Sequence, residues 1–244
     1  MPEINPEKAV EVKPGVWWVG WPDHEAGFSN NPYLILEGEE AILLDPGSRL
    51  DIHWNWVKTK IESIIPIEKI TMVIVHHQDP DLCAAIPLVE EIVGVNNFEI
   101  VTTERSALFV PYYGVKTEVT AVSDGESIEI GEEGRELFFI TTPYLHFPGA
   151  MVTYDTKEKI LFSSDIFAGF SIDWSLYANE YYLEAMKVFS QPYLSDQRHV
   201  HNFLRKIEGL ELEMICPQHG SIIPKEQIDQ AVETLRNLEV GIWQ

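Results

Sequence analysis

The residues best suited to chemistry lie in Val73-Ile-Val-His-His-Gln-Asp-Pro-Asp81, where a short apolar strand empties into a loop with two histidines and two aspartates. Alternate residues of an extended segment point the same way, so His77, Asp79 and Asp81 can converge on one spot. Imidazole and carboxylate together suit divalent iron, manganese or zinc. A loop at the carboxyl end of a buried strand is where α/β proteins place chemistry. Asp-Pro-Asp is also ordinary turn chemistry. Taken alone, this loop supports a metal site and a surface turn about equally.

Three later segments repeat the same grammar, an apolar strand ending in one potential ligand. Leu137-Phe-Phe-Ile-Thr-Thr-Pro-Tyr-Leu-His146 runs on into Phe147-Pro148-Gly149. Lys159-Ile-Leu-Phe-Ser-Ser-Asp165 ends in a carboxylate, and Glu213-Met-Ile-Cys-Pro-Gln-His219 ends in an imidazole followed by Gly220. Four strand ends that offer only His and Asp point to one metal centre.

In these motifs the chain resembles the metallo-β-lactamase fold and, within it, the flavodiiron proteins. Hydrolases of that fold carry His-x-His-x-Asp-His in the first loop, and flavodiiron proteins carry His-x-Glu-x-Asp-His. Here His77-Gln-Asp79-Pro-Asp81 places a carboxylate, Asp79, where the hydrolases have a second histidine. His146-Phe147-Pro148, Phe162-Ser-Ser-Asp165 and Pro217-Gln-His219-Gly220 match the remaining motifs in order, so the likeness runs from about Val16 to His219. The resemblance implies a four-layer αββα sandwich, an α/β (α+β) fold of metallo-β-lactamase type. It also implies two iron ions: His77, Asp79 and His146 on one, Asp81 and His219 on the other, and Asp165 bridging both. His24, in Trp21-Pro-Asp-His24, resembles a pocket histidine of the family.

The sequence departs from the pattern in three places. Leu82 stands where both loop patterns have histidine. The tyrosine pair of flavodiiron proteins falls on Ala185-Met186, with Tyr181 and Tyr182 about one turn earlier, so no catalytic tyrosine is transferred. Flavodiiron proteins continue into a flavodoxin-like domain, whereas this sequence stops at Gln244; no FMN is therefore expected in this chain.

Positioning these loops requires a succession of strands and helices. Val16–Gly20, Tyr33–Leu36, Ala41–Asp45, Ile70–Val75, Phe98–Thr103, Val115–Val122, Ser127–Ile130, Glu136–Thr142, Met151–Tyr154 and Ile160–Phe162 read as strands. Helices are predicted over Asp51–Ile65, stopped by Pro66, from near Leu82, and over Ser175–Phe189, Asp196–Glu208 and Lys225–Leu238. Ligands spread from position 77 to 219 make residues 1–244 one interleaved domain. His76 should point away from His77 and support or pack, and His53, His199 and His201 fall on helices as solvated residues. Cys83 and Cys216 read as small core thiols.

Seventeen basic residues against 39 acidic ones give a net charge of −22. That excludes a phosphate-backbone partner, since little is available to neutralise one, and disfavours anionic membranes. Two cysteines argue against a disulfide-stapled secreted scaffold. The start Met1-Pro-Glu-Ile-Asn-Pro-Glu-Lys8 has neither a cationic beginning nor an apolar run, and no apolar stretch approaches the roughly 20 residues of a membrane span. The protein reads as cytoplasmic.

Three aspartates contribute −3 against +4 for two divalent ions. Added anionic oxygen ligands stabilise Fe(III) over Fe(II) and favour reaction with O₂. The leading reading is a non-haem diiron protein that binds or reduces dioxygen (or NO), as a sensor or as a reductase. It would work with a separate electron donor or signalling protein, with a second copy of the chain as a further candidate partner. The alternative is a binuclear hydrolase of a phosphoester, thioester or lactone using a bridging hydroxide; basic residues to anchor such a substrate are sparse near the four loops. A non-catalytic member of the fold acting through protein contacts is the third.

Overall fold

The computed structural model describes residues 4–132, 134–171 and 173–242. Residues 1–3, on which the reading of the N-terminal start partly rests, lie outside them. The chain divides into two compact units. The first comprises Met1–Trp21, Asn30–Ser123 and Glu129–Arg135, and the second Pro22–Ser29, Asp124–Ile128 and Glu136–Gln244.

The first unit is built on a seven-stranded sheet in sequential order: β1 (Val10–Lys13), β2 (Val16–Trp18), β3 (Tyr33–Glu37), β4 (Glu40–Leu44), β5 (Met72–Ile74), β6 (Glu99–Thr103) and β7 (Val119–Val122). Strands β1 to β4 pair antiparallel, and Gly38, at φ +59°, turns the tight β3–β4 connection in the left-handed region glycine favours. From β4 to β7 the pairing is parallel, so each strand needs a crossover. Those crossovers are α1 (Asp51–Glu62), the pair α2 (Pro80–Cys83) and α3 (Ile86–Val93), and α4 (Glu104–Ala107). Strand β5 is buried at every position, as a central parallel strand must be, and it delivers His76 and His77 at its carboxyl end.

Helix α1 buries Trp54, Val57, Lys60 and Ile61, one helical stripe. Lys60 is the anomaly in that stripe. Its ammonium donates to the carbonyls of Pro6 and Gly20 and lies 3.9 Å from the Trp18 ring centroid. Burial pulls its pKa down to about 7. Between that value and the ordinary lysine value of 10.5 the unfolded chain holds a proton that the folded chain has released, so stability should rise with pH across this window. The carbonyls and the indole face favour the ammonium and offset part of the desolvation, leaving an expected gain of about 1–3 kcal/mol. Chemical denaturation of Lys60→Met at pH 7 and pH 10 should show this slope abolished.

A six-stranded sheet, most of whose residues belong to the second unit, is ordered β13-β12-β11-β10-β9-β8. Its strands are β8 (Ser127–Ile130), β9 (Arg135–Thr141), β10 (Met151–Asp155), β11 (Ile160–Ser164), β12 (Met214–Pro217) and β13 (Ile223–Pro224). Strands β9, β10 and β11 pair antiparallel and β11 with β12 parallel, so Asp165 and His219 leave adjacent strand ends. Helices α5 (Tyr182–Tyr193), α6 (Gln197–Ile207) and α7 (Lys225–Asn237) contribute Met186, Val200, Phe203, Leu204, Ala231 and Leu235 to one apolar cluster.

The strand expectations hold with shifts of a few residues, but the predicted helix Ser175–Phe189 does not. The helix starts at Tyr182 and runs to Tyr193. Upstream, Tyr177 forms a parallel bridge with Ile222, and the Asn179 side chain caps the Tyr181 N–H, so long-range pairing claims the backbone that a local pattern assigns to helix. Helix α1 likewise ends at Glu62, short of Ile65. Two histidines expected in solvent are half-buried: His53 stacks on Trp21 at 4.3 Å and bonds Ser48, and His199 packs against Tyr144 at 4.9 Å. His201 is exposed and faces the Arg236 carbonyl.

Candidate metal centre

In the first unit the loop leaving β5 carries His77, Asp79 and Asp81. His77 is fully buried, and its Nε2 lies 3.5 Å from Asp79 Oδ2. Asp79 is the N-cap of α2, extended at φ −66°, ψ 149°, and Pro80 takes the first helical position, where its missing N–H costs nothing. Asp81 follows in the first turn, half-buried, with its carbonyl held by the Asn30 amide at 2.8 Å. The Gln78 carbonyl, between the two ligand candidates, accepts from Tyr113 Oη (2.7 Å) and from Cys83 Sγ (3.2 Å).

Behind this loop sits a buried pair that sequence reasoning missed. Asp45, at φ 48° after β4, accepts from the His76 backbone N–H (2.9 Å) and bonds its Nδ1 (2.5 Å). A non-glycine residue in the left-handed region stores strain that its surroundings must overcome; here the two bonds to His76 fix the strand end from which His77 projects. His76 is thus a support rather than a solvent-facing group. Leu82 is wholly buried, and its carbonyl accepts from the Gly47 N–H. Cys83 is also buried, and burial pushes its thiol pKa up, which keeps it a protonated core thiol.

In the second unit Asp165, 2% exposed, sits between two histidines. Its Oδ2 is 2.9 Å from His146 Nε2, and its Oδ1 is 3.5 Å from His219 Nε2. Ser164, immediately before it, has φ 51°, so the chain leaves β11 through a left-handed residue that turns Asp165 out of the strand. His219 is oriented by the Ser29 carbonyl, 2.7 Å from its Nδ1. A carbonyl can only accept, so Nδ1 carries a proton, and Nε2 is the nitrogen that faces the Asp165 carboxylate and is available to a metal when the ring is neutral. With the ring neutral, a cation bound between Nε2 and the carboxylate would relieve the opposition of two acceptors. Two ligands of one metal, with bonds of ~2.1 Å, lie ~2.9–3.4 Å apart, and the spacings at Asp165 are of that size. The donor set fits a divalent transition metal.

Rings wall this part of the site. Phe28 stacks on His219 at 4.0 Å, Phe189 lies 5.8 Å from it, and Tyr193 stands edge-on to His146 at 5.8 Å. Ser29 was likewise invisible to sequence reasoning. Its hydroxyl accepts from the Gly220 N–H (2.7 Å) and bonds the Gly220 carbonyl (3.1 Å) across 191 residues of chain. Ser29→Ala should leave that buried N–H without its acceptor and loosen His219, lowering metal affinity about tenfold, measurable by chelator competition. His24 is exposed, edge-on to Trp174, whose indole N–H donates to the same Gly220 carbonyl.

An uncharacterized protein of Methanocaldococcus jannaschii is 30% identical over 92% of this chain and 59% of its own length. The anaerobic nitric oxide reductase flavorubredoxin of Vibrio vulnificus is 27% identical over 92% of this chain and 48% of its own. The chain therefore spans about half the length of the curated relatives it matches. Rubredoxin oxygen:oxidoreductase of Desulfovibrio gigas superposes with a TM-score of 0.85 at 24% identity, covering 94% of this chain and 61% of that one. The fold is accordingly that of the metallo-β-lactamase-like part of flavodiiron proteins, a mixed α/β arrangement with two sheets. A chemotaxis sensor, ODP, solved as a peroxy diiron species, superposes with a TM-score of 0.80 at 26% identity over 96% of both chains; the apo sensor from T. denticola gives 0.77. Residues 28–220 match the family described as ODP family beta lactamase, and the chain belongs to that family.

Proposed function

We propose that the protein is a non-haem diiron protein that binds dioxygen, with His77, Asp79, Asp81, His146, Asp165 and His219 holding two iron ions and the two compact units acting as one diiron domain. The observation that carries the reading is His219: a ring whose tautomer is set by the Ser29 carbonyl and whose Nε2 faces the buried Asp165 carboxylate. When bound, the irons would supply reversible one-electron chemistry toward O₂ or NO. The chain's residues perform the rest. The Ser29 and Asp45 bonds hold two strand ends in place, and Phe28, Phe189 and Tyr193 line the histidines with apolar surface that admits a small neutral diatomic more readily than a charged ester.

The family match and the like coverage of the ODP sensor favour an oxygen binder that signals through a partner protein. The flavorubredoxin and rubredoxin oxygen:oxidoreductase relatives keep a reductase, fed by a separate electron donor, as the second reading. No helix among the described residues is long and apolar enough to cross a membrane. Cys83 and Cys216 are unbridged, which supports the cytoplasm as the compartment. A homodimer is compatible with either reading.

The test is metal analysis of anaerobically purified protein, followed by O₂ addition with a chemical reductant present. Two irons per chain and one stable oxygenated species without sustained O₂ consumption is the expected result. Multiple turnover would favour the reductase, and two zincs with no response to O₂ would overturn the diiron reading.

A further inference from the structure

The second unit contains a buried tyrosine that ties together the two loops bearing Asp165 and His219. Tyr182 opens α5 and is 4% exposed. Its hydroxyl donates to the Phe167 carbonyl at 2.8 Å and lies against the Gly220–Ser221 backbone, with the Ser221 amide as its second polar neighbour. Phe167 lies two residues beyond Asp165 and Ser221 two residues beyond His219, so one oxygen atom bridges equivalent points on both loops. Two backbone bonds also join these loops: the Gly169 N–H donates to the His219 carbonyl at 3.2 Å, and the Gln218 N–H to the Ser164 carbonyl at 2.8 Å.

Glycines make room for this phenol. A Cβ on Gly220 would stand 2.6 Å from Tyr182 Oη and 2.8 Å from the Gly169 nitrogen, and one on Gly169 would meet the Tyr182 ring at 3.0 Å. Phe167 (φ 66°) is a non-glycine residue in the left-handed region, a conformation its loop would not keep unaided, whereas Gly220 (φ 85°) adopts that region freely. A hydroxyl that donates to one loop and faces the backbone amide of the other sits where it can tie them at the point where a side-chain carboxylate and an imidazole must meet.

We infer that Tyr182 is a positioning residue of the metal centre, its hydroxyl setting the Asp165–His219 spacing through the Phe167 carbonyl and the Ser221 amide. This rests on the diiron reading for its consequence but not for its geometry, and the experiment separates the two. Tyr182→Phe keeps the ring and removes only the oxygen. Amide hydrogen exchange in the metal-free variant should show Ser221 exchanging at least about tenfold faster than in the parent. Cobalt(II) and iron(II) binding, measured by chelator competition, should weaken about tenfold, and the cobalt ligand-field bands should shift.

Val200→Ala, in the same apolar cluster but distant in sequence from both loops, is the control. It should lower the melting temperature by a comparable amount and leave affinity and spectrum unchanged. Unaltered Ser221 exchange in Tyr182→Phe would overturn the clamp. Faster exchange with unchanged metal affinity and spectrum would overturn the positioning role, as would equal loss of affinity in the Val200 control. A parent protein that binds neither metal would sink the diiron reading, while the exchange measurement would still decide the clamp.

Discussion

Asp165→Ala should purify without a paired metal centre, losing both ions where His146→Ala or His219→Ala loses one. The asymmetry follows from one carboxylate having an oxygen within 2.9 Å of the His146 ring and the other within 3.5 Å of the His219 ring. Removing either histidine leaves the carboxylate and the other ring; removing the carboxylate leaves two imidazoles with no shared anion. Metal affinity should fall at least about a hundredfold, and with it the stabilisation that binding to the native state supplies, ~2.7 kcal/mol at a hundredfold excess of metal over Kd. The metal-free variant should behave in the opposite sense. A carboxylate 2% exposed is held out of water at a cost, and taking it away should leave the apo protein as stable as the parent or more so. Metal content and denaturation midpoints, each with and without metal, decide the matter. Two tightly held ions in Asp165→Ala would remove Asp165 from the centre.

The contrast between what the sequence disclosed and what it hid has a physical pattern. Three ligand candidates follow apolar runs that the structure makes wholly buried strands: β5 before His77, β11 before Asp165, β12 before His219. Such runs are local and carry their own signal, so the fold class and a candidate donor set could be read together. The residues that aim the donors could not. Ser29 reaches His219 across 190 residues and Asp45 reaches His76 across 31. Nothing near a serine after Phe28 or an aspartate before Pro46 announces such a partner. Helix α5 failed for the same reason, because the Tyr177–Ile222 bridge is a contact between distant segments. The error mattered: a helix over Ser175–Phe189 puts Tyr182 mid-helix, whereas the observed start places it at the first position, with its ring turned toward Gly169 and Gly220.

The second large effect is expected at Asp79. Its Oδ2 lies 3.5 Å from the buried His77 Nε2, and it enters α2 as the N-cap with no side-chain capping bond, so the carboxylate is not consumed in holding the helix. Asp79→His recreates the His-rich loop of the fold's hydrolases, His77-Gln-His-Pro-Asp81, and lowers the ligand charge from −3 to −2. Losing an anionic oxygen donor disfavours Fe(III) relative to Fe(II) and favours the softer, imidazole-rich environment of zinc. The backbone should tolerate the change, since position 79 is only half-buried and its φ and ψ are ordinary extended values. With parent and variant both loaded with iron(II) anaerobically and mixed with O₂, growth of the ferric absorption band should be at least about tenfold slower in the variant, a barrier change of ~1.4 kcal/mol. Competition between the two metals should shift toward zinc in the same protein. Equal oxidation rates with an unchanged metal preference would mean that the carboxylate at position 79 does not set the chemistry. The distinction between this chain and the hydrolases of its fold would then have to come from the apolar rings around His146 and His219, where Phe28→Ala and Phe189→Ala would be the variants that carry it.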